Sequence, residues 1–280
     1  MTQPMIIDAH THIVSKDLAR YPVASNEHTP KTQWYLKHGC PIEQLREITS
    51  DAGVNRFVVA QAISSYRWDV SYIVDAVRAH PDWAVGVGAI DPTDPDPRAA
   101  FDRLLAEGLQ GVRIFDLDGE RVLAMPQTGE LLRAAGDHGA ATLVMTNDAG
   151  LEDLDALLAR MPSVRVVLDH CARPDLAAGA PWPGLDRLRR LARHENLFLK
   201  VTTLTLDLAP ATAGAALFDE LVRSFGASRL MWGSDFPHTN DRSYCALVEL
   251  AITASAALSH SDRERYLSGT ALELWPALIA

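Results

Sequence analysis

A chain of 280 residues with 48% hydrophobic and 22% charged side chains has the composition of a folded protein, and its length suits one large α/β domain. A formal net charge of −10 argues against nucleic acid and anionic membranes as partners, since binding to either needs a basic surface. Three widely spaced cysteines, with no signal segment and no long apolar run, predict a cytoplasmic protein that lacks a disulfide framework.

Short apolar runs alternate with longer amphipathic segments along the chain. In order, the runs are MIIDAH, RFVVAQA, AVGVGAI, GVRIF, ATLVMT, VRVVLDH, LFLKVTT and RLMWGSD. Continuous Val-, Ile- and Leu-rich runs are typical of parallel strands that are buried on both faces. The segments between them, such as PIEQLREITSDAG and DPRAAFDRLLAEG, have helical spacing, and most close on Gly or Pro. This alternation predicts a (β/α)8 TIM barrel, with residues 1–280 as a single barrel domain.

A doubly wound open sheet is the main alternative to the barrel. The sequence has no G-x-G-x-x-G after the first run and no G-x-x-x-x-G-K-[ST], which are the phosphate-binding motifs of such folds. We therefore favour the barrel, whose chemistry is expected at the C-terminal ends of its strands.

Polar side chains collect at those strand ends, whereas the interiors of the runs are almost wholly apolar. Residues two apart on a strand point the same way, so His10 and His12 are expected to face the barrel mouth together. His170 and Asp235 end the sixth and eighth runs, and with the first pair they form the candidate catalytic set. The other polar strand ends are Gln61, Asp91, Arg113, Thr146, Asn147, Asp169, Thr202, Thr203 and Ser234.

Three strand ends carry motifs that resemble the amidohydrolase superfamily. DAHTHIV is similar to its strand 1 H-x-H, VVLDHCARP to its strand 6 D-H-x-[GA]-x-P, and MWGSDFPHT to its strand 8 G-S-D-[WF]-P. GVRIF and AIDP also resemble the amidohydrolase-related branch of 2-pyrone-4,6-dicarboxylate lactonase and the sugar-acid lactonases. The resemblance implies a distorted barrel of the amidohydrolase type. By it, His10, His12, His170 and Asp235 are the catalytic positions, and Asp235 takes the proton of the attacking water.

The same resemblance raises the question of a metal. Metal-dependent members add a strand 5 histidine to the strand 1 pair and the strand 8 aspartate, whereas this chain offers Thr146 or Asn147 there. Strand 4 offers a guanidinium, which cannot bridge two ions, so we set aside a binuclear centre. His10, His12 and Asp235 still supply the three ligands of a single zinc ion. We favour hydrolysis without a metal, because one of four ligands is missing and the branch contains metal-independent members.

An anionic small molecule is the expected partner, and several cationic or polar residues could bind it. Arg113 at a strand end could form two bonds to a carboxylate, although an internal ion pair, for instance with Asp116, is the alternative. The loop arginines rank lower because such side chains are usually solvated. The predicted substrate-binding set is Arg113, Arg67, Arg173, His238, Asn147 and Thr146.

The sequence thus predicts a hydrolase that opens a small carboxylated lactone of the pyrone dicarboxylate, muconolactone or sugar-acid class. A zinc-dependent decarboxylase, or another metal-dependent hydrolase of this family, is the alternative, and the missing strand 5 histidine counts against it. A non-catalytic barrel is disfavoured because the His/Asp set is otherwise intact. VTTLTLDLAP after strand 7 lacks the further arginines expected of a dicarboxylate lactonase. Whether the chain forms a homo-oligomer is left open.

Overall fold

The computed structural model describes residues 5–24, 34–117 and 119–279. Parallel strands follow one another in sequence order around the molecule, and each pairs with the next. Backbone bonds of 2.8 Å from the Asp235 N–H to the His10 carbonyl and from the His12 N–H to the Phe236 carbonyl join the last strand to the first. The predicted (β/α)8 barrel is confirmed. The strands are β1 (Ile6–Thr11), β2 (Val54–Ala60), β3 (Ala84–Ala89), β4 (Gly111–Asp116), β5 (Ala141–Thr146), β6 (Val166–Leu168), β7 (Leu197–Thr202) and β8 (Leu230–Gly233).

Helices cover the outside of the barrel. The start of α5 shows a common pattern of helix N-termini. Pro97 lies in its first turn, and the N-cap residue Asp96 accepts a 3.0 Å bond from the Ala99 N–H. No helix in the described part of the chain is long and apolar enough to cross a bilayer. The helices are α1 (Trp34–His38), α2 (Ile42–Ser50), α3 (Ile63–Tyr66), α4 (Ser71–Ala79), α5 (Pro97–Ala106), α6 (Pro126–Asp137), α7 (Leu151–Arg160), α8 (Asp186–Leu191), α9 (Thr203–Asp207), α10 (Gly214–Phe225), α11 (Tyr244–Ala254), α12 (His260–Glu264) and α13 (Thr270–Leu274).

The apolar core has two parts. One lies between the outer faces of the strands and the helices. The other fills the barrel interior with apolar side chains at alternate strand positions, such as Val58, Val85 and Leu143, and the C-terminal residues Trp275 and Leu278 pack against it. Apolar side chains therefore close the barrel interior at one end, and the polar side chains lie at the other end.

An irregularity in β1 sets the direction of its histidines. Asp8 pairs with Phe57 and Thr11 with Val59, so β1 has one residue more than β2 over this stretch, as in a β-bulge. Ala9, within this stretch, faces the barrel interior. His10, directly after it, also reaches inward and lies 3.6 Å from the Asp235 carboxylate. In a regular strand the side chains of Ala9 and His10 would point to opposite faces of the sheet.

Candidate active site

A cavity of about 360 Å³ lies at the C-terminal end of the strands. Its size suits a small molecule, and its position is the usual one for active sites in (β/α)8 barrels. A larger groove of about 640 Å³ between α6 and α7 contains none of the clustered histidines. The residues that line the cavity are His12, Trp34, Ala62, Ile63, Ser64, Arg113, Phe115, Leu117, Met145, His170, Arg173, Leu204, Asp235 and His238.

The buried Asp235 carboxylate is the centre of the polar side chains. Its Oδ1 lies 3.3 Å from His12 Nε2, 3.6 Å from His10 Nε2 and 4.0 Å from His170 Nε2. Its Oδ2 accepts a 2.9 Å bond from His238 Nδ1. Burial raises the pKa of Asp235, but the adjacent His170, His12 and His238 outweigh burial and hold that pKa well below its usual value. Asp235 is therefore an ionised carboxylate.

The three imidazoles around Asp235 are neutral. Burial lowers the pKa of each: well below its usual value for His10, and to about 4 for His170. His12 donates Nδ1–H to the Ala60 carbonyl at 2.9 Å, and His170 Nδ1 hydrogen-bonds with the Thr202 hydroxyl at 2.7 Å. These bonds fix the orientation of both rings.

A buried ion cluster lies behind the histidines. Asp169 Oδ2 accepts a 2.8 Å bond from Arg113 Nε, and Oδ1 lies 3.2 Å from Lys200 Nζ and 3.3 Å from His10 Nδ1. Burial raises the pKa of Asp169, but Lys200 and Arg113 outweigh it and lower that pKa well below its usual value. Burial also lowers the pKa of Lys200, to about 8, against the attraction of Asp169. The two cations balance the carboxylates of Asp169 and Asp235.

The backbone beside the site is held in an unfavourable conformation. His170, Cys171, Ala172 and Arg173 have φ values of 52, 53, 63 and 51°, and Asp235 has a φ of 61°. Left-handed backbone is uncommon for residues other than glycine and persists where the surrounding structure enforces it, often at functional sites. The strain therefore coincides with the strand ends that carry the predicted chemistry.

The structure brings the predicted catalytic residues together and gives Arg113 a partner. The internal ion pair that the sequence left open is formed with Asp169, whereas the suggestion of Asp116 is wrong. A second guanidinium nitrogen, Nη1, donates to the Gln61 carbonyl at 2.9 Å. The third, Nη2, makes a long contact of 3.5 Å with His10 Nε2 and has no carboxylate partner.

The end of β5 is placed differently from the sequence-based expectation. Thr146 donates its hydroxyl to the Asp116 carbonyl at 3.0 Å, and Asn147 caps the following turn by accepting from the Ala149 N–H at 3.0 Å. Neither is among the lining residues, and Met145 reaches the cavity instead. A thioether, with no nitrogen ligand, therefore faces the cavity from the end of β5.

The loop cations divide into two groups. Arg67 is exposed and does not line the cavity, although its carbonyl accepts a 3.3 Å bond from Gln61 Nε2. Arg173 and His238 do line the cavity. Asp235 raises the pKa of His238, and the nearby positive charge of Arg173 acts in the opposite direction. The exposed Arg173 guanidinium makes no hydrogen bond or ion pair with another described residue. Arg173 is thus the arginine of the predicted set that is available to an anion.

Lys200 is the main residue that reasoning from the sequence missed. It lies inside the run LFLKVTT, and its side chain is fully buried in the barrel. A lysine two residues before the end of an otherwise apolar strand was the available signal, because a buried ammonium needs a charged partner.

The donor atoms of the site fit one divalent ion. Ligand atoms of His10, His12 and Asp235 lie within 4.8 Å of one another. Because His12 Nδ1–H is donated to a backbone carbonyl, its neutral ring presents an unprotonated Nε2 to Asp235 Oδ1. His10 Nε2 also faces Asp235 Oδ1, at 3.6 Å, while its Nδ1 lies near Lys200 and Asp169. Two hydrogen-bonded imidazoles and a carboxylate form the donor set of a single zinc ion with an open position.

Two curated proteins resemble the chain over most of its length. An L-fucono-1,5-lactonase from Burkholderia ambifaria is 28% identical over 240 residues, which cover 82% of this chain and 80% of the relative. A 2-pyrone-4,6-dicarboxylate hydrolase from Comamonas testosteroni is 26% identical over 251 residues, which cover 84% of this chain and 77% of that protein.

The fold and the family have independent support. The crystal structure of an amidohydrolase from Burkholderia multivorans, which holds bound zinc, has a TM-score of 0.79 at 22% identity over 97% of this chain and 99% of that one. At this identity the likeness supports the fold. The amidohydrolase family model matches residues 7–277. A match of that extent leaves only a few residues at either end outside it, and the chain therefore belongs to the amidohydrolase family.

Proposed function

We propose that this chain is a hydrolase that opens a small carboxylated lactone, with Asp235 as the base that activates water. The observation that carries the proposal is the ionised Asp235 carboxylate at the floor of the cavity, with Oδ1 facing three neutral imidazoles at 3.3 to 4.0 Å. The names of the two curated relatives, a lactonase and a pyrone dicarboxylate hydrolase, support the same reaction class.

Asp235 and Arg113 divide the chemistry of ring opening. The Asp235 carboxylate takes a proton from water, and the water oxygen attacks the carbonyl carbon of the lactone. The negative charge that forms on the carbonyl oxygen is stabilised by Arg113 Nη2, which has no carboxylate partner of its own. When the tetrahedral intermediate collapses, the ring C–O bond breaks and Asp235 returns its proton to the departing oxygen.

The substrate carboxylate is assigned to Arg173 at the rim. This guanidinium lines the cavity and is exposed, so it keeps its donors for a ligand. Arg113 is a weaker anchor because Asp169 already neutralises it at 2.8 Å.

His10, His12 and Asp235 would hold a divalent ion if one is bound. Such an ion would polarise the lactone carbonyl and lower the pKa of a bound water. We propose that turnover does not depend on it, because Arg113 Nη2 already places positive charge 3.5 Å from His10 Nε2 and Met145 brings no fourth nitrogen ligand.

The test is an assay of the purified chain on a panel of carboxylated lactones, before and after exhaustive chelation, with metal content measured on the same sample. We expect ring opening in both samples. No activity on any lactone, together with release of CO2 from a carboxylated aromatic acid, would assign the chain to the decarboxylases instead.

A further inference from the structure

Several apolar side chains around the cavity lie outside both apolar cores. Ile63, Phe115, Leu117, Met145 and Leu204 line it, yet none of the five belongs to either apolar core. Met145 is 8% exposed, and the other four are partly buried. Apolar groups that gather around a cavity instead of packing into a core mark a binding surface for an apolar ligand.

Polar groups available to a ligand are few once the reacting end is set aside. Among the described lining residues, Ser64 accepts a 3.1 Å bond from Trp34 Nε1, and His238 Nδ1 is bonded to Asp235. No amide side chain and no second carboxylate is found in that part of the lining. A ring with several hydroxyl groups would place them against apolar walls, where unpaired hydroxyls are unfavourable.

The charges of the cavity point to one carboxylate on the substrate. Asp169 neutralises Arg113, and Asp235 hydrogen-bonds with His238. The exposed Arg173 is therefore the one described lining arginine without an ion-pair partner. One guanidinium matches one carboxylate through two parallel bonds.

We propose that the substrate is a lactone whose ring is unsaturated or alkyl-substituted, carries one carboxylate and lacks hydroxyl groups. The assignment rests on the proposed function and selects among its substrate classes. The hydroxyl-free ring lies against Phe115, Met145 and Leu204, the carboxylate binds Arg173, and the lactone carbonyl points to Asp235.

The experiment compares two six-carbon lactones that each carry one carboxylate. Muconolactone has no hydroxyl group, whereas galactarolactone has several. We expect kcat/KM to be at least about tenfold higher for muconolactone, since buried hydroxyl groups would lack partners. An equal or higher value for galactarolactone overturns the inference and leaves the proposed function intact. No opening of any lactone in the panel overturns the proposed function.

Two variants test whether the apolar lining residues cause the preference for muconolactone over galactarolactone. Met145→Gln keeps side-chain length and adds hydrogen-bonding groups, so we expect the muconolactone/galactarolactone ratio of kcat/KM to fall about tenfold. Met161→Gln, a partly buried methionine in the groove between α6 and α7, is the matched control and should leave the ratio unchanged.

Circular dichroism checks that each variant folds. If Met145→Gln does not, Leu117→Asn, at a partly buried lining position, provides the same test. An unchanged ratio in a folded wall variant contradicts the inference.

Discussion

The Lys200 ammonium lies 3.2 Å from the Asp169 carboxylate inside the barrel, and neither side chain reaches solvent. Lys200 Nζ is also 3.1 Å from Nδ1 of His10, whose other nitrogen faces Asp235. The pair therefore contacts His10 from the barrel interior and does not line the cavity itself. A charge buried this deeply is tolerated because it is paired.

Removal of either member of this pair should destabilise the fold. For Lys200→Met or Asp169→Asn alone we expect a loss of about 3 kcal/mol in the free energy of unfolding, because an unbalanced charge stays buried. The double variant should lose less than the sum, with a coupling of about 1 to 3 kcal/mol. Urea unfolding of the four proteins measures both quantities.

The control for this cycle is the exposed pair Arg98 and Asp137, whose atoms lie 2.8 Å apart. Its coupling should stay below about 1 kcal/mol, as for other surface ion pairs. If the losses in free energy of unfolding for the Lys200 and Asp169 variants were strictly additive, the two charges would not stabilise each other.

Asp235→Asn should abolish most of the turnover. The amide cannot take a proton from water, so we expect kcat to fall by a factor of about 10² to 10⁴. Steady-state kinetics on a lactone that the parent chain opens measures the loss, and circular dichroism checks the fold. The control is Asp137→Asn, at the exposed end of α6, which should keep the kcat of the parent chain. Near-parental turnover in Asp235→Asn would show that Asp235 is not the base.

Arg173→Gln should weaken substrate binding without affecting the chemical step. Loss of an exposed charge-assisted contact should raise KM for carboxylated lactones by about tenfold and leave kcat nearly unchanged. The methyl esters of the same lactones should show no change in KM. Arg160→Gln, an exposed arginine in the groove between α6 and α7, is the matched control. A parallel rise in KM for the esters would argue against carboxylate binding.

Chelation should leave lactone opening largely intact. Because Arg113 and the imidazoles supply polarising groups of the chain itself, we expect kcat to stay within about twofold after removal of bound metal. Metal analysis and kinetics on the same sample provide the measurement. Loss of activity that returns on addition of zinc alone would make the His10, His12 and Asp235 site a required metal centre.

The sequence predicts the fold well because its signals are local. Buried parallel strands appear as apolar runs, and their polar C-terminal ends lie at one rim of the barrel, so His12, His170 and Asp235 are found without coordinates. Asp96 and Pro97 mark the start of α5 in the same local way.

What the sequence does not reveal depends on register and on distant partners. At the end of β5 the inward residue is Met145, one position before the predicted Thr146, and such a shift reverses the face that a side chain occupies. Arg113 pairs with Asp169, 56 positions away, and no local pattern indicates that choice over Asp116. The pairing of Lys200 was equally hidden, since its partner Asp169 directly follows the neighbouring strand β6 and is 31 positions away.

The backbone bonds that join β8 to β1 form a seam that runs through the candidate site. Asp235 N–H and His12 N–H make the two bonds, and Gly233 beside them leaves so little space that an added Cβ would meet His10 Cβ at 2.5 Å. The positions of Asp235, His10 and His12 relative to one another are therefore fixed by the same contacts that close the barrel. Local fraying at this seam would separate the reacting groups while the remaining strand ladders persisted, so inactivation would precede global melting.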